Sequence, residues 1–542
     1  FGVMFLLVAL LAGGIIGTVT TLFVFSMSVA GALGISVYLG FPITPTGAGT
    51  PNIILTVAVA NSVHILISYF HELREGLAKH AAIEESLRIN INPVMLASIT
   101  TAIGFLTMNF SESPPFQMIG TTVAVGVLIS LVLSLTFLPA LLAVLPTGRI
   151  PVRSAQDEWI EAFGNFVVRR RRELLWGTSA VIVGLIANVP RNEFNDLFFE
   201  YFDETVEYRI ASDFMLDNLT GLYTVHYSLD SGESGGIADP EFLRFTHEFA
   251  EWWRAQPETK HVSSITDTMK RLNRNMYGDD DAMYKLPDSR DLAAQYLLLY
   301  EMSLPYGLDL NNQINVDKSS TRVVATLIPV SSKRMLDITE RAGRWLDEHA
   351  PGIGHDDGSG TVMMFTHLML RNTVSMVFGT TLALGLISLV IMLALRSVKI
   401  GALSLITNLA PIGMGFGIWG IINGEIGMAL SVIASMTFGI VVDDTVHFLS
   451  KYLRARRERG MQPEAAVRYA FNTVGRALIV TSIVLIAGFL VLATSHFGLN
   501  SKMGVSVAIV IACALATVLL FLPPLLIRLE GRQPVPSPAR DA

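Results

Sequence analysis

Uninterrupted apolar stretches of 17 or more residues recur along the 542-residue chain, and they decide its class before any single residue is considered. A helix needs about 20 apolar residues to cross the hydrocarbon core, and within lipid only helices or closed barrels satisfy their own backbone. The runs fall at 1–12, 15–38, 50–70, 94–110, 117–145, 174–189, 373–395, 401–422, 428–449, 478–496 and 503–527. These eleven segments predict a polytopic α-helical membrane protein. Because the chain opens on Phe1 inside an apolar run, the first span is expected to be truncated and the sequence to be a fragment.

Charge sorts the connections into two sides. Segments 71–93, 146–173, 396–399, 450–477 and 528–542 hold 21 Lys/Arg, including the run RRRR at 169–172, whereas the short loops of the opposite side hold only Lys502. The positive-inside rule makes the basic set cytoplasmic. Segment 190–371 then lies outside the cytoplasm, and it is acidic: residues 191–371 carry 30 Asp/Glu against 17 Lys/Arg. The charge pattern offers no basic groove, so no nucleic-acid partner is expected. The single cysteine, Cys513, sits in an apolar run and excludes a disulfide framework.

Segment 190–371 is too long and too patterned to be a loop. LYTVHYSL (222–229) and TRVVATLIPV (321–330) alternate like strands. Asp239-Pro240 opens the amphipathic run EFLRFTHEFAEWW (241–253), and SITDTMKRLNRNM, DLAAQYLLLYEM and RMLDITERAGRWLDEH also read as helices. GDDD (278–281) and HDDGSG (355–360) read as linkers. An α+β domain is the expectation. Its histidines, His226, His247 and His261, are scattered and form no catalytic constellation.

An internal repeat organises the rest. LASITTAIGFL (96–106) lies over VTSIVLIAGFL (480–490) at an offset of 384, which also pairs Gly120 with Gly504 and Leu138-Pro139 with Leu522-Pro523. NSVHILISY (61–69) lies over DTVHFLSKY (444–452) at an offset of 383. Two halves of equal loop polarity imply a pseudo-twofold axis along the membrane normal, as in transporters that rock about a midplane site. The chain therefore divides into a first bundle (1–146), a basic linker helix (147–173), the first span of the second half (174–189), the α+β domain (190–371), a second bundle (372–528) and a cytoplasmic tail (529–542).

Of all the acidic residues, only Asp443 and Asp444 lie deep inside an expected span, and no Lys or Arg does. A charge at a helix centre costs roughly 2.5–3.5 kcal/mol on insertion scales, so the pair needs a reason to be there. Adjacent carboxylates in low dielectric cannot both stay ionised cheaply, so one is expected to take up and release a proton. The alternative is a permanently protonated, hydrogen-bonded structural pair. His447 lies one turn away, i+4 from Asp443 and i+3 from Asp444. The repeat places Asn61 opposite Asp444 and His64 opposite His447, and the following helices bring Ser98, Thr100 and Thr101 in one half and Thr481 and Ser482 in the other. Together these form a candidate proton relay, although each hydroxyl could instead bond its own helix backbone.

The motif GIVVDDTVHF, the repeated GFL helix, the spans ending SLTFLPALL and LLFLPPLL, and the large insert resemble the resistance-nodulation-division (RND) superfamily. Within it the likeness is to MmpL-like exporters, related to Patched and sterol-sensing-domain proteins. The resemblance implies duplicated six-helix halves, an extracytoplasmic ferredoxin-like α+β porter domain, and export of hydrophobic or amphiphilic, lipid-like molecules driven by protons as the only coupling agent. It also implies a bacterial inner-membrane location, contact with membrane lipids, and either a homo-oligomer or a periplasmic partner protein. Asp443 and Asp444 match the family's relay acids. The drug-pump branch carries its acids in the first half with a lysine opposite; here Ala60, beside Asn61, stands at the lysine position, and the Asp-Tyr pairs of MmpL-like exporters are absent. One proton pathway centred on the second half is expected.

Two rival classes remain at this stage. A non-transporting sterol- or lipid-sensing scaffold would use the first bundle without needing a titrating acid. An intramembrane enzyme is not expected: a protease would need its carboxylates on facing helices, and a metal would need three or four convergent ligands, for which His64 is the only further candidate at that depth.

Overall fold

A computed structural model describes residues 2–9, 14–42, 44–146, 155–196, 198–305, 308–349 and 352–531. The expected span 1–12, the linker at 147–154 and the tail beyond Gly531 therefore lie partly outside the described residues. The chain forms two compact units, one of Phe1–Glu193 with Arg371–Ala542 and one of Phe194–Leu370.

The first unit is helical. Before the inserted unit it holds α1 (Gly2–Val8), α2 (Gly14–Tyr38), α3 (Thr50–Arg74), α4 (Lys79–Leu106), α5 (Pro114–Leu135), α6 (Phe137–Val144), α7 (Ala155–Arg169) and α8 (Arg171–Ile186), the last of these belonging to the second repeat half. The Leu-Pro pair of the repeat falls where α5 gives way to α6, because a proline cannot donate the hydrogen bond that would continue the helix. Pro93 lies inside α4, which lipid-embedded bundles tolerate when neighbouring helices compensate.

The unit of Phe194–Leu370 contains α9 (Glu207–Asn218), α10 (Pro240–Arg254), α11 (Ile265–Met276), α12 (Arg290–Ser303) and α13 (Ser332–His349). Its antiparallel sheet runs in the order Thr259–Ser263, Ser320–Leu327, Tyr223–Asp230, Gly354–His355. With α10 after the first strand and α13 after the third, this is the ferredoxin-like βαββαβ arrangement, enlarged by α11 and α12. Asp239 caps α10 by accepting from the amides of Glu241 and Phe242, with Pro240 at the first turn. Phe242, Phe249 and Trp253 of α10 and Ile338 and Leu346 of α13 pack on Val225, Tyr227, Val323 and Ala325 of the sheet. Strand Thr259–Ser263 was not expected, since it buries only Val262 and alternates weakly.

After the inserted unit the helical unit continues with α14 (Thr361–Leu395), α15 (Val398–Ile422), α16 (Met428–Ser431), α17 (Ile433–Arg457), α18 (Pro463–Ala470), α19 (Arg476–Leu492), α20 (Gly498–Ala516) and α21 (Leu522–Glu530). Among the described residues nine helices are long and apolar enough to cross a membrane, fewer than the eleven runs of the sequence. Two account for the difference. Only seven residues of the first run are described as α1, and α17, although 25 residues long, is made less apolar by its two aspartates and His447.

The repeat is visible in the packing. α17 crosses α4, and α3 crosses α19. At the first crossing a Cβ on Gly104 would lie 2.8 Å from the Cα of Gly439, so both positions need glycine for the backbones to meet. At the second, a Cβ on Gly488 would lie 3.1 Å from Thr56, the repeat-mate of Gly439. These crossings hold α3 and α17 in the middle of the unit. Of the apolar window containing α3, 94% is buried, against 6% for α8.

Candidate functional site

The middle of α17 and α3 carries the polar groups. Asp444 is 5% exposed, and the His447, His64 and Asn61 side chains are buried. Asp443 retains 13% side-chain exposure. A helix brings i and i+4 to one face, so Asp443, His447 and Lys451 form a ladder along α17. His447 Nε2 lies 3.4 Å from Asp443 Oδ1, at ion-pair distance. Its ring stacks on that of His64, centroids 3.6 Å apart and planes 6° from parallel. Because these histidines are repeat-mates, the pseudo-twofold axis passes between them.

The same symmetry governs the next contacts. Ser482 Oγ on α19 donates to Asp444 Oδ2 at 3.0 Å, and the equivalent pair in the other half joins Asn61 Nδ2 to Ser98 Oγ at 3.1 Å. Thr101 Oγ1 donates across to the Gly439 carbonyl at 2.8 Å. Thr100 and Thr481 instead donate to carbonyls of their own helices and do not join the cluster. Both ring nitrogens of His64 and of His447, Asp443 Oδ1 and Asp444 Oδ1 make no hydrogen bond among the described residues. Beside Asp443 a small pocket, lined also by Asn61, Ser98 and Thr101, offers about 10 Å³ of room, close to what one water needs. Of the atoms without protein partners, only Asp443 Oδ1 belongs to a residue that lines this space.

Two further groups were missed by sequence reasoning. Lys451, just beyond the expected span 428–449, is 2% exposed. The apolar run ends near residue 449, but the helix continues to Arg457, and the lysine stem is buried while Nζ donates to the Ile89 carbonyl at 2.9 Å. Its i+4 spacing from His447 was the available signal. Asn408 on α15 is buried and accepts from Thr445 Oγ1 at 2.6 Å.

His64, Asp443 and His447 present ligand atoms within 4.8 Å of one another, so the third candidate that a metal site needs is in place. The ring orientation does not suit one. Imidazole lone pairs lie in the ring plane, and two parallel planes 3.6 Å apart direct them side by side rather than toward a common ion.

The MMPL family profile matches residues 2–174 and 359–542, about two thirds of the chain and both helical halves. The chain belongs to the MMPL family. Curated relatives of this MMPL protein include the membrane protein MJ1562 of Methanocaldococcus jannaschii, 31% identical over 114 residues (21% of this chain, 29% of that protein). Another is MmpL12 of Mycobacterium tuberculosis, a probable transport protein, 34% identical over 126 residues (22% of this chain, 11% of that protein). The matched stretches thus span less than a third of either relative. Among solved structures, the hedgehog release protein Disp of the water bear Hypsibius dujardini aligns over 98% of this chain and 69% of its own, with a TM-score of 0.68 and 13% identity. SecDF of Thermus thermophilus, a translocon-associated membrane protein, aligns over 98% and 61%, with a TM-score of 0.59 and 15% identity. These likenesses show the fold alone, that of a multi-pass helical membrane protein.

Proposed function

We propose that this MMPL protein exports hydrophobic or amphiphilic, lipid-like substrates from a bacterial inner membrane, driven by the proton-motive force. Its basic loops face the cytoplasm and the unit of Phe194–Leu370 faces the periplasm. The observation that carries the reading is the buried cluster of Asp443, Asp444, His447 and His64 at the junction of the two repeat halves. Family membership supports a transporter, and MmpL12 is named as one.

In this reading a proton reaches Asp443 and Asp444 from the periplasm, passes His447 and leaves past Lys451. Neutralising the carboxylates removes a charge that costs several kcal/mol in hydrocarbon, so the packing of α17 against α4 and α19 differs between charge states. A proton moving down 100 mV gains about 2.3 kcal/mol, enough to shift a two-state equilibrium well over tenfold. The chemistry is proton transfer and conformational change, with no bond made or broken in the substrate.

The test is substrate-coupled proton flux in proteoliposomes. Asp443→Asn and Asp444→Asn are expected to abolish both flux and transport while the protein still folds and inserts. Full coupled transport by the double variant overturns the reading, and a wild-type protein that binds lipid without moving protons favours a sensor or scaffold.

A further inference from the structure

The α7–α8 joint is the covalent link from the first repeat half to the second, and it borders an open cleft of about 780 Å³. The cleft is lined by the four arginines 169–172 and by Arg468 of α18, opposed only by Glu173 and Glu464. Arg170 pairs with Glu173 at 2.5 Å and Arg171 with Glu464 at 3.4 Å. Arg169, Arg172 and Arg468 form no ion pair among the described residues. Three guanidinium groups thus remain for an external anion, and the guanidinium fork matches phosphate oxygens two at a time.

The wall beside the cleft is apolar. α8 runs directly from the arginines into Trp176 and, two turns on, Val183, which share one side of the helix and are each more than half exposed among the described residues of this unit. Arg528 lies over the Trp176 ring at 5.3 Å, the aromatic-and-cation pairing of a membrane interface. A free anion would use the arginines and leave the apolar wall idle, whereas a phospholipid uses both.

We propose that this cleft binds the phosphate of an anionic phospholipid, whose acyl chains lie along α8. The site is separate from the buried acid cluster and holds whether or not the chain moves protons. Basic pockets of this kind between membrane helices are suited to acidic headgroups. Lipid held at this joint connects the composition of the membrane to the segment that links the two halves.

The full chain in detergent is titrated with short-chain phosphatidylglycerol, phosphatidylcholine and inorganic phosphate, with native mass spectrometry and melting temperature as readouts. Phosphatidylglycerol is expected to bind about tenfold or more tightly than phosphatidylcholine, and the Arg169→Gln/Arg172→Gln/Arg468→Gln variant to lose that preference. Glu464→Gln, which frees Arg171, is expected to tighten phosphatidylglycerol binding, and it decides the matter should the triple variant fail to fold. Equal binding of the two lipids, a preference that survives the triple variant, unchanged affinity in Glu464→Gln, or displacement of the lipid by an equal concentration of inorganic phosphate each overturns the proposal.

Discussion

His64 and His447, equivalent residues of the two repeat halves, stack face to face with ring centroids 3.6 Å apart. At that separation the rings are in van der Waals contact, so neither can shift without displacing the other. The stack is therefore one element shared by both halves. His64→Gln and His447→Gln should each slow proton-coupled transport about tenfold or more, and the double variant should be little worse than either. Additive losses, measured as initial flux rates, would show two independent sites instead.

Ser482 and Thr481 are neighbours with different partners, and this separates site from scaffold. Ser482 donates to Asp444, while Thr481 donates to its own helix. A hydrogen bond to a charged group is worth about 1.5–3 kcal/mol, so Ser482→Ala should reduce transport by roughly tenfold or more with normal insertion. Thr481→Ala should leave transport near wild type. The reverse order of effects in the same flux assay would place the path elsewhere.

Lys451 closes the α17 ladder four residues beyond His447, and its side chain is buried. Lys451→Met keeps the aliphatic stem and removes the charge, so it should leave the melting temperature unchanged or raise it, because a buried ammonium held by one carbonyl and by no ion pair among the described residues is costly. It should slow proton release and with it steady-state transport. A variant that transports normally would exclude Lys451 from the exit.

In the unit of Phe194–Leu370, burial, and after it the nearby Arg322, hold His226 below the ordinary histidine value. His247 is lowered likewise, by burial first and then by Lys270 and Arg254, against the opposing pull of Glu251 and Asp267. A histidine whose folded pKa lies below its unfolded 6.5 binds fewer protons when folded, so its contribution to stability is present above pH 6.5 and lost as pH falls below it. The opening free energy of strand Tyr223–Asp230 in the full chain, from hydrogen exchange corrected for the intrinsic rate at each pH, should fall as the pH is lowered from 7.5 to 5.5, and less so in His226→Gln. An exchange free energy independent of pH over that range would contradict the assignment.

The repeat, read from sequence, named Asn61 and Ser98 as mates of Asp444 and Ser482, and the structure joins both pairs by hydrogen bonds. Periodicity sufficed because each pair lies on neighbouring helices of one half. The imidazole stack was not legible, since it depends on how α3 and α17 rotate about an axis between the halves, a tertiary quantity. Lys451 was hidden for another reason: the apolar run ends at Leu449, two residues before it, while a lysine stem can remain buried beyond that point. Strand Gly354–His355 pairs through only two residues, too few for any pattern to mark.

Gly104 and Gly439 set the distance between α4 and α17, and with it the distance between the acids and Thr101, Ser98 and Asn61. A Cβ at Gly439 would meet the Thr101 carbonyl at 3.0 Å and one at Gly104 would meet Gly439 itself, backbone against backbone, where no side chain can swing away. Gly439→Ala should therefore cost about 1–3 kcal/mol, the usual penalty of overpacking, read as a lower midpoint in a denaturation assay. Transport should fall further than stability does. Moving α17 outward lengthens the Thr101 to Gly439 hydrogen bond, 2.8 Å in the native crossing, and shifts Asp443 relative to Asn61 and Ser98. Gly34→Ala, where a Cβ meets nothing within 4 Å, is the control that should change neither stability nor flux. Equal behaviour of the two variants would mean that the crossing is not what aligns the relay.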